Sequence, residues 1–137
     1  MTTERRGFIK AIAATGMMGT AALTGTSAKA ATPLDAKLVH HVFFWLKNPG
    51  SAEDRTQLIA GLKTLDKIGV IRSMHIGVPA PTEKRDVVDN SYDVSELMTF
   101  DTAADQKAYQ DHPLHLAFVA KCEHLWSKVV VYDVVAA

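Results

Sequence analysis

The segment AYQDHPLHLAF, Ala108 to Phe118, places Tyr109, His112 and His115 at spacings of three, with Pro113 between the two histidines. On a continuous helix that spacing puts all three side chains on one face. A histidine titrates near pH 6.5, so modest burial decides whether it accepts a proton at neutral pH. A tyrosine hydroxyl can donate a hydrogen bond to an oxygen on which negative charge develops. Tyr109 and His115 are therefore candidates for acid–base work that needs no cofactor. Pro113 cannot continue a helix without losing a backbone hydrogen bond, so the helix is expected to break and restart with Pro113 at its first position. His112 is then expected to cap or buttress the restart, while His115 fits either a site residue or a brace.

A second chemical signal is a carboxylate in the wrong company. Tyr92, Val94, Glu96, Met98 and Phe100 fall on one face by the period of two of a strand, so Glu96 interrupts an apolar row. An isolated buried charge costs several kcal/mol. Glu96 must therefore be paired, protonated, open to a water-filled cavity or placed at a solvated edge; inside, its natural partners are His40 or His115. The six histidines show no metal-ligand spacing: there is no HExxH and no cysteine pair, since Cys122 is the single cysteine. GxGxxG, P-loop and GxSxG patterns are absent as well. No metal and no cofactor are expected.

These side chains need a frame to hold them. LVHHVFFWLK, Leu38 to Lys47, is dense in β-branched and aromatic residues and reads as a strand ended by Asn48-Pro49-Gly50. Ser51 with Glu53 and Asp54 forms a helix start, Leu58, Leu62, Leu65 and Ile68 recur at helical spacing, and Gly69 ends the run. Strands are predicted at Val70–Val78, Tyr92–Phe100 and Val129–Val135, with the longest loop over Pro79–Asn90 and a helix from Ala103. Strand-helix-strand-strand-helix-strand is the order of a ferredoxin-like α+β unit, with both helices on one face of a four-stranded antiparallel sheet. Neither face of the first and last strands is polar: Leu38, Val42, Phe44 and Leu46 oppose Val39, Phe43 and Trp45, and Val129 and Val131 oppose Val130, Tyr132 and Val134. A solvated face would alternate, so an identical subunit is expected to cover it, giving a homodimer.

The N-terminal residues 1–30 resemble a twin-arginine export signal: Arg5 and Arg6 precede Phe8 and Lys10, a weakly apolar run follows, and Ala28-Lys29-Ala30 offers a small-x-small cleavage site. The run carries Gly16, Gly19 and Gly25 and is too short and polar to remain as an anchor across about 30 Å of hydrocarbon. The chain is thus expected to be exported to the periplasm without stable membrane insertion, with a linker at 31–37 and one domain at 38–137. The full chain has 15 basic and 15 acidic residues; without Arg5, Arg6, Lys10, Lys29 and Glu4, 11 basic remain against 14 acidic. That balance, with no basic stripe, argues against nucleic acid as a partner.

Four stretches, HHVFFWLK, SYDVSELMTF, AYQDHPLHLAF and LWSKVVVYDV, resemble the stress-responsive A/B barrel (Dabb) family in order and spacing across most of the domain. The resemblance implies a ferredoxin-like monomer pairing sheet to sheet into a dimeric α+β barrel. The family holds plant stress proteins, many bacterial members and olivetolic acid cyclase, which closes a linear polyketide by aldol condensation without a cofactor. By that resemblance Tyr109 and His115 match the cyclase's catalytic tyrosine and histidine, and His40, rather than His41, matches its strand histidine. His40 is then expected to look into the barrel with Val42 and Phe44, and His41 toward the helices. Val94 and Glu96 depart from the cyclase, which has a histidine and an apolar residue there. The expected site is a cavity for a small, largely apolar molecule: Tyr109, His115 and Glu96 would do cyclisation or isomerisation chemistry, and His40, Phe44, Val94, Phe118 and Trp126 would bind the ligand. The alternative is a non-catalytic ligand-binding or stress-associated structural protein in which Tyr109 and His115 only brace the fold.

Overall fold

The computed structural model describes residues 37–137. The expected export signal and nearly all of the linker lie outside the described residues. The order is β1 (Leu38–Leu46), α1 (Ala52–Lys63) running into a 3-10 turn at Thr64–Lys67, β2 (Ser73–Gly77), β3 (Val94–Phe100), α2 (Ala103–Gln110), α3 (Pro113–Cys122), a 3-10 turn at Glu123–Leu125, and β4 (Trp126–Val135). The strands form one sheet in the order β2-β3-β1-β4, every neighbouring pair antiparallel. This is the ferredoxin-like α+β fold, with its second helix split in two.

Local chemistry sets the boundaries. Ser51 caps α1 by accepting a hydrogen bond from the Asp54 amide at 3.2 Å. Gly50 has φ of +79°, a conformation that glycine adopts without a Cβ penalty, so the chain can reverse after β1. Two strands are shorter than the sequence pattern predicts. Val70 and Ile71 pack against the core from a turn, where the Ile71 amide donates to the Ile68 carbonyl at 3.1 Å, and β2 starts only at Ser73. Asp93 belongs to a clamp rather than to β3: its carboxylate accepts from the Leu46 amide at 2.8 Å, and its own amide donates to the Phe44 carbonyl at 2.8 Å. β4 is longer than predicted and begins at Trp126, opposite Leu46, after a register irregularity at Trp45/Leu46.

The helices cover one face of the sheet. On β1, Leu38, His40, Val42, Phe44 and Leu46 are buried, alternating with half-buried Val39, His41, Phe43 and Trp45. Leu58 and Leu62 of α1, Tyr109 of α2 and Phe118 and Cys122 of α3 share the core with the first row. This corrects the expected orientation of the strand histidines: His40 faces the helices, and His41 faces the side that no described helix covers. Both rows are apolar enough to be buried, so the sequence pattern separates them without saying which one the helices take. Val131, which pairs with Val42, is on the helix side too, and the uncovered row of β4 is Val130, Tyr132 and Val134. On that open face Phe43 gathers an aromatic cluster, with ring centroids 4.2 Å from His41, 4.8 Å from Tyr92 and 6.1 Å from Tyr132. Tyr92, expected on the Glu96 face, precedes the start of β3 at Val94 and so escapes its alternation. Tyr132 remains 60% exposed and Val134 55%.

Candidate functional site

The break at Pro113 places the site. Thr102 caps α2 by accepting from the Asp105 amide at 3.0 Å, and α2 ends at Gln110. His112 has extended backbone (φ −67°, ψ 139°), and its ring Nδ1 accepts from the Leu114 amide at 3.1 Å. His112 is thus the N-cap of α3, with Pro113 in its first turn. The kink turns Tyr109, at the end of α2, and His115, at the start of α3, toward each other, with ring centroids 4.7 Å apart. Both are buried.

Between these helices and the β1–β4 side of the sheet lies a cavity of about 170 Å³. Its polar lining is His40, Glu96, Tyr109, Gln110 and His115; Phe44, Phe118 and Trp126 supply rings, and Val42, Val119, Val129 and Val131 complete the wall. The structure thus brings His40, Phe44, Glu96, Tyr109, His115, Phe118 and Trp126 together. Val94 is the exception: it is fully buried in the core and does not border the cavity. Two residues along a strand from Glu96 is a shift of about 7 Å, enough to carry it past the rim. Among the described residues no group of three or more His, Cys, Asp and Glu side chains is arranged to hold a metal ion.

Each histidine ring has one nitrogen committed. His115 Nδ1 lies 2.9 Å from the Gln110 carbonyl oxygen, which can only accept, so Nδ1 carries the proton and Nε2 keeps its lone pair. Burial pushes the His115 pKa down, against an opposing pull from that carbonyl, so the ring is neutral at pH 7. His40 Nδ1 lies 2.6 Å from the Asp133 carboxylate and donates to it. The His40 ring stands edge-on to Tyr109 at 5.7 Å, so Tyr109 sits between two oriented imidazoles. Burial, aided by the neighbouring Glu96 carboxyl, pushes the Tyr109 pKa further up and keeps the phenol protonated as a donor.

Glu96 is 1% exposed, and its Oε1 has no hydrogen-bond partner. Neither expected histidine partner is bonded to it; through Nδ1, His40 bonds Asp133 and His115 bonds the Gln110 carbonyl. Burial alone raises its pKa to about 8, so the carboxyl is mostly protonated at neutral pH. Asp133, Gln110, Val42, Val119, Val129 and Val131 are site residues that the sequence reading missed. Asp133 did leave a trace, a single acid in step with Val129 and Val131 on an apolar strand, but linking it to His40 requires the β1–β4 register.

The fold and the kinked helix define a ferredoxin-like protein with a cavity between sheet and helices. The family model of the stress responsive A/B barrel domain (Dabb) matches residues 38–136, and the chain belongs to that family. Among solved structures it is similar to a Dabb family protein with a ferredoxin-like fold from Mesorhizobium loti, 24% identical over 73% of this chain and 96% of that one, with a TM-score of 0.60. It is similar also to a hydroxynitrile lyase from Passiflora edulis, 22% identical over 73% of this chain and 95% of that one, with a TM-score of 0.61. A third is a dimeric ferredoxin-like protein of unknown function from Thermobifida fusca, 21% identical over 72% of this chain and 90% of that one, with a TM-score of 0.58. No curated protein is significantly similar to the chain in sequence.

Proposed function

We propose that this is an exported, homodimeric Dabb protein whose cavity holds a small, largely apolar molecule and moves a proton on it without a cofactor. The observation that carries the reading is the convergence of Tyr109 and His115, one fixed as a hydrogen-bond donor and the other as a neutral base, on one aromatic-walled cavity. His115 Nε2 would accept a proton from carbon or oxygen, and the Tyr109 hydroxyl would stabilise the oxyanion that forms. Cyclisation and isomerisation are the reaction classes that need only these parts, and the Passiflora neighbour, a hydroxynitrile lyase, supports catalysis on this frame. At about 170 Å³ the cavity is well below the roughly 300 Å³ at which pockets for drug-sized ligands begin, which suits one ring with a short arm.

The Thermobifida neighbour is dimeric, and the open aromatic face gives this chain a surface to pair through. Export rests on Arg5 and Arg6 with the cleavage pattern at Ala28–Ala30. A second reading, non-catalytic ligand binding or a stress-associated structural role, is favoured by Tyr109 and His115 being packed on Phe100 and Phe118, as bracing residues would be.

Exchange of the α-protons of phenylacetone in D2O, followed by NMR, tests catalysis with a probe of the right size. Wild-type protein should accelerate exchange, and His115→Ala and Tyr109→Phe should each slow it by roughly 10²-fold or more. Binding of phenylacetone without any accelerated exchange would leave the binding reading in its place.

A further inference from the structure

Acceptors face the cavity without a donor from the protein. His115 spends its one N–H on the Gln110 carbonyl, leaving an Nε2 lone pair on that cavity-lining ring. Glu96 adds a buried carboxyl whose Oε1 has no partner. The donors there are the Tyr109 hydroxyl and the Gln110 amide, and among the described residues the lining includes no lysine or arginine. An ammonium is the complementary group, since it brings three donors and no acceptor. The walls suit it as well: Phe44, Tyr109, Phe118 and Trp126 offer aromatic faces, which attract a desolvated cation.

We propose that the ligand of this cavity is a small arylalkyl amine, bound as an ammonium with Glu96 as its counter-ion. The assignment rests on the cavity being a ligand site and adds the ligand's chemical class. A neutral carbonyl or hydroxyl ligand can bond to Tyr109, Gln110 or the protonated Glu96 carboxyl, but only a cation draws on the charge of an ionised Glu96. The carboxyl must ionise to hold the ammonium, so binding releases its proton. Among the described residues the titratable groups around it are His40 on β1, Tyr109 on α2, His115 on α3 and, through His40, Asp133 on β4; β2 presents Ile76 opposite Glu96.

Calorimetric titration of the full chain with 2-phenylethylamine and with its neutral isostere 2-phenylethanol distinguishes the possibilities. At pH 8 the amine should bind at least about tenfold more tightly than the alcohol, a modest gain for a desolvated ion pair. With the Glu96 pKa near 8, amine affinity should rise by about fifty-fold from pH 6 to pH 8. Glu96→Gln should abolish both the preference and the rise while keeping the alcohol. Equal affinity for the two probes, or an amine affinity that falls with pH, would overturn the amine assignment and leave the cavity as a ligand site. A rise that persists in Glu96→Gln would assign it to the histidines and remove Glu96 as counter-ion. Binding of neither probe would overturn the amine assignment and the cavity reading together.

Discussion

Burying Glu96 carries an electrostatic cost, and the cost has a definite pH signature. Its carboxyl titrates near 4.5 in an unfolded chain and at about 8 in the fold. A raised folded pKa means that the fold holds the proton more tightly, so stability is fully present below the unfolded value and is lost as pH climbs through the folded one. Between those limits the loss approaches about 1.4 kcal/mol per pH unit. Glu96→Gln removes the titration and leaves the remaining groups in place. Denaturant unfolding of both chains should show the variant gaining on wild type steadily from pH 5 to 8, whereas parallel profiles would mean that Glu96 is solvated. At this scale the sequence was informative: period two isolates Glu96, and the spacing around Pro113 singles out Tyr109 and His115. What it could not give was partners. The Gln110 carbonyl and Asp133 acquire their roles only when a kink and a strand register bring them to the rings.

Two elements, α1 and the α2–α3 break, set how closely the helices approach each other and the sheet. A Cβ on Gly61 of α1 would stand 2.5 Å from Cys122 Sγ and 3.2 Å from the Phe118 ring on α3. Helix propensity alone favours Gly61→Ala by about 1 kcal/mol, but overpacking costs about 1–3 kcal/mol, so the variant should be destabilised. Thermal unfolding should show a lower Tm, partly restored when Cys122→Ala is added; a stabilised single variant would show that the helices part freely. At the break, His112→Ala should cost about 1 kcal/mol through loss of the cap while leaving phenylacetone exchange intact. Slowed exchange at unchanged stability would instead place His112 in the chemistry. Helices, two of their caps and the order of elements along the chain were legible because Ser51, Pro113 and the apolar periods are local signals. The ends of β2 and β3 were not, because Ile71 and Asp93 are claimed by a turn and by a cross-connection to β1 that no short window contains.

For the whole molecule, the two faces of the sheet divide the work: the helix face holds the cavity, and the open face offers Phe43, Tyr92 and Tyr132 for pairing. A carboxylate at Tyr132, placed in a sheet-to-sheet contact, would be desolvated without a partner. Light scattering should therefore find wild type as a dimer and Tyr132→Glu as a folded monomer, and a wild-type monomer at micromolar concentration would end the pairing model. The apolar character of both strand faces announced a covered second face, but the side taken by the helices came only with the fold, and with it the place of His40. Isotope-edited NOEs from 2-phenylethanol to 13C-labelled protein test that division most directly. Contacts to Phe44, Phe118, Trp126 and Val131 are predicted, on the helix side of the sheet; contacts to His41, Phe43, Tyr92 and Tyr132 instead would put the ligand between paired sheets and contradict the account.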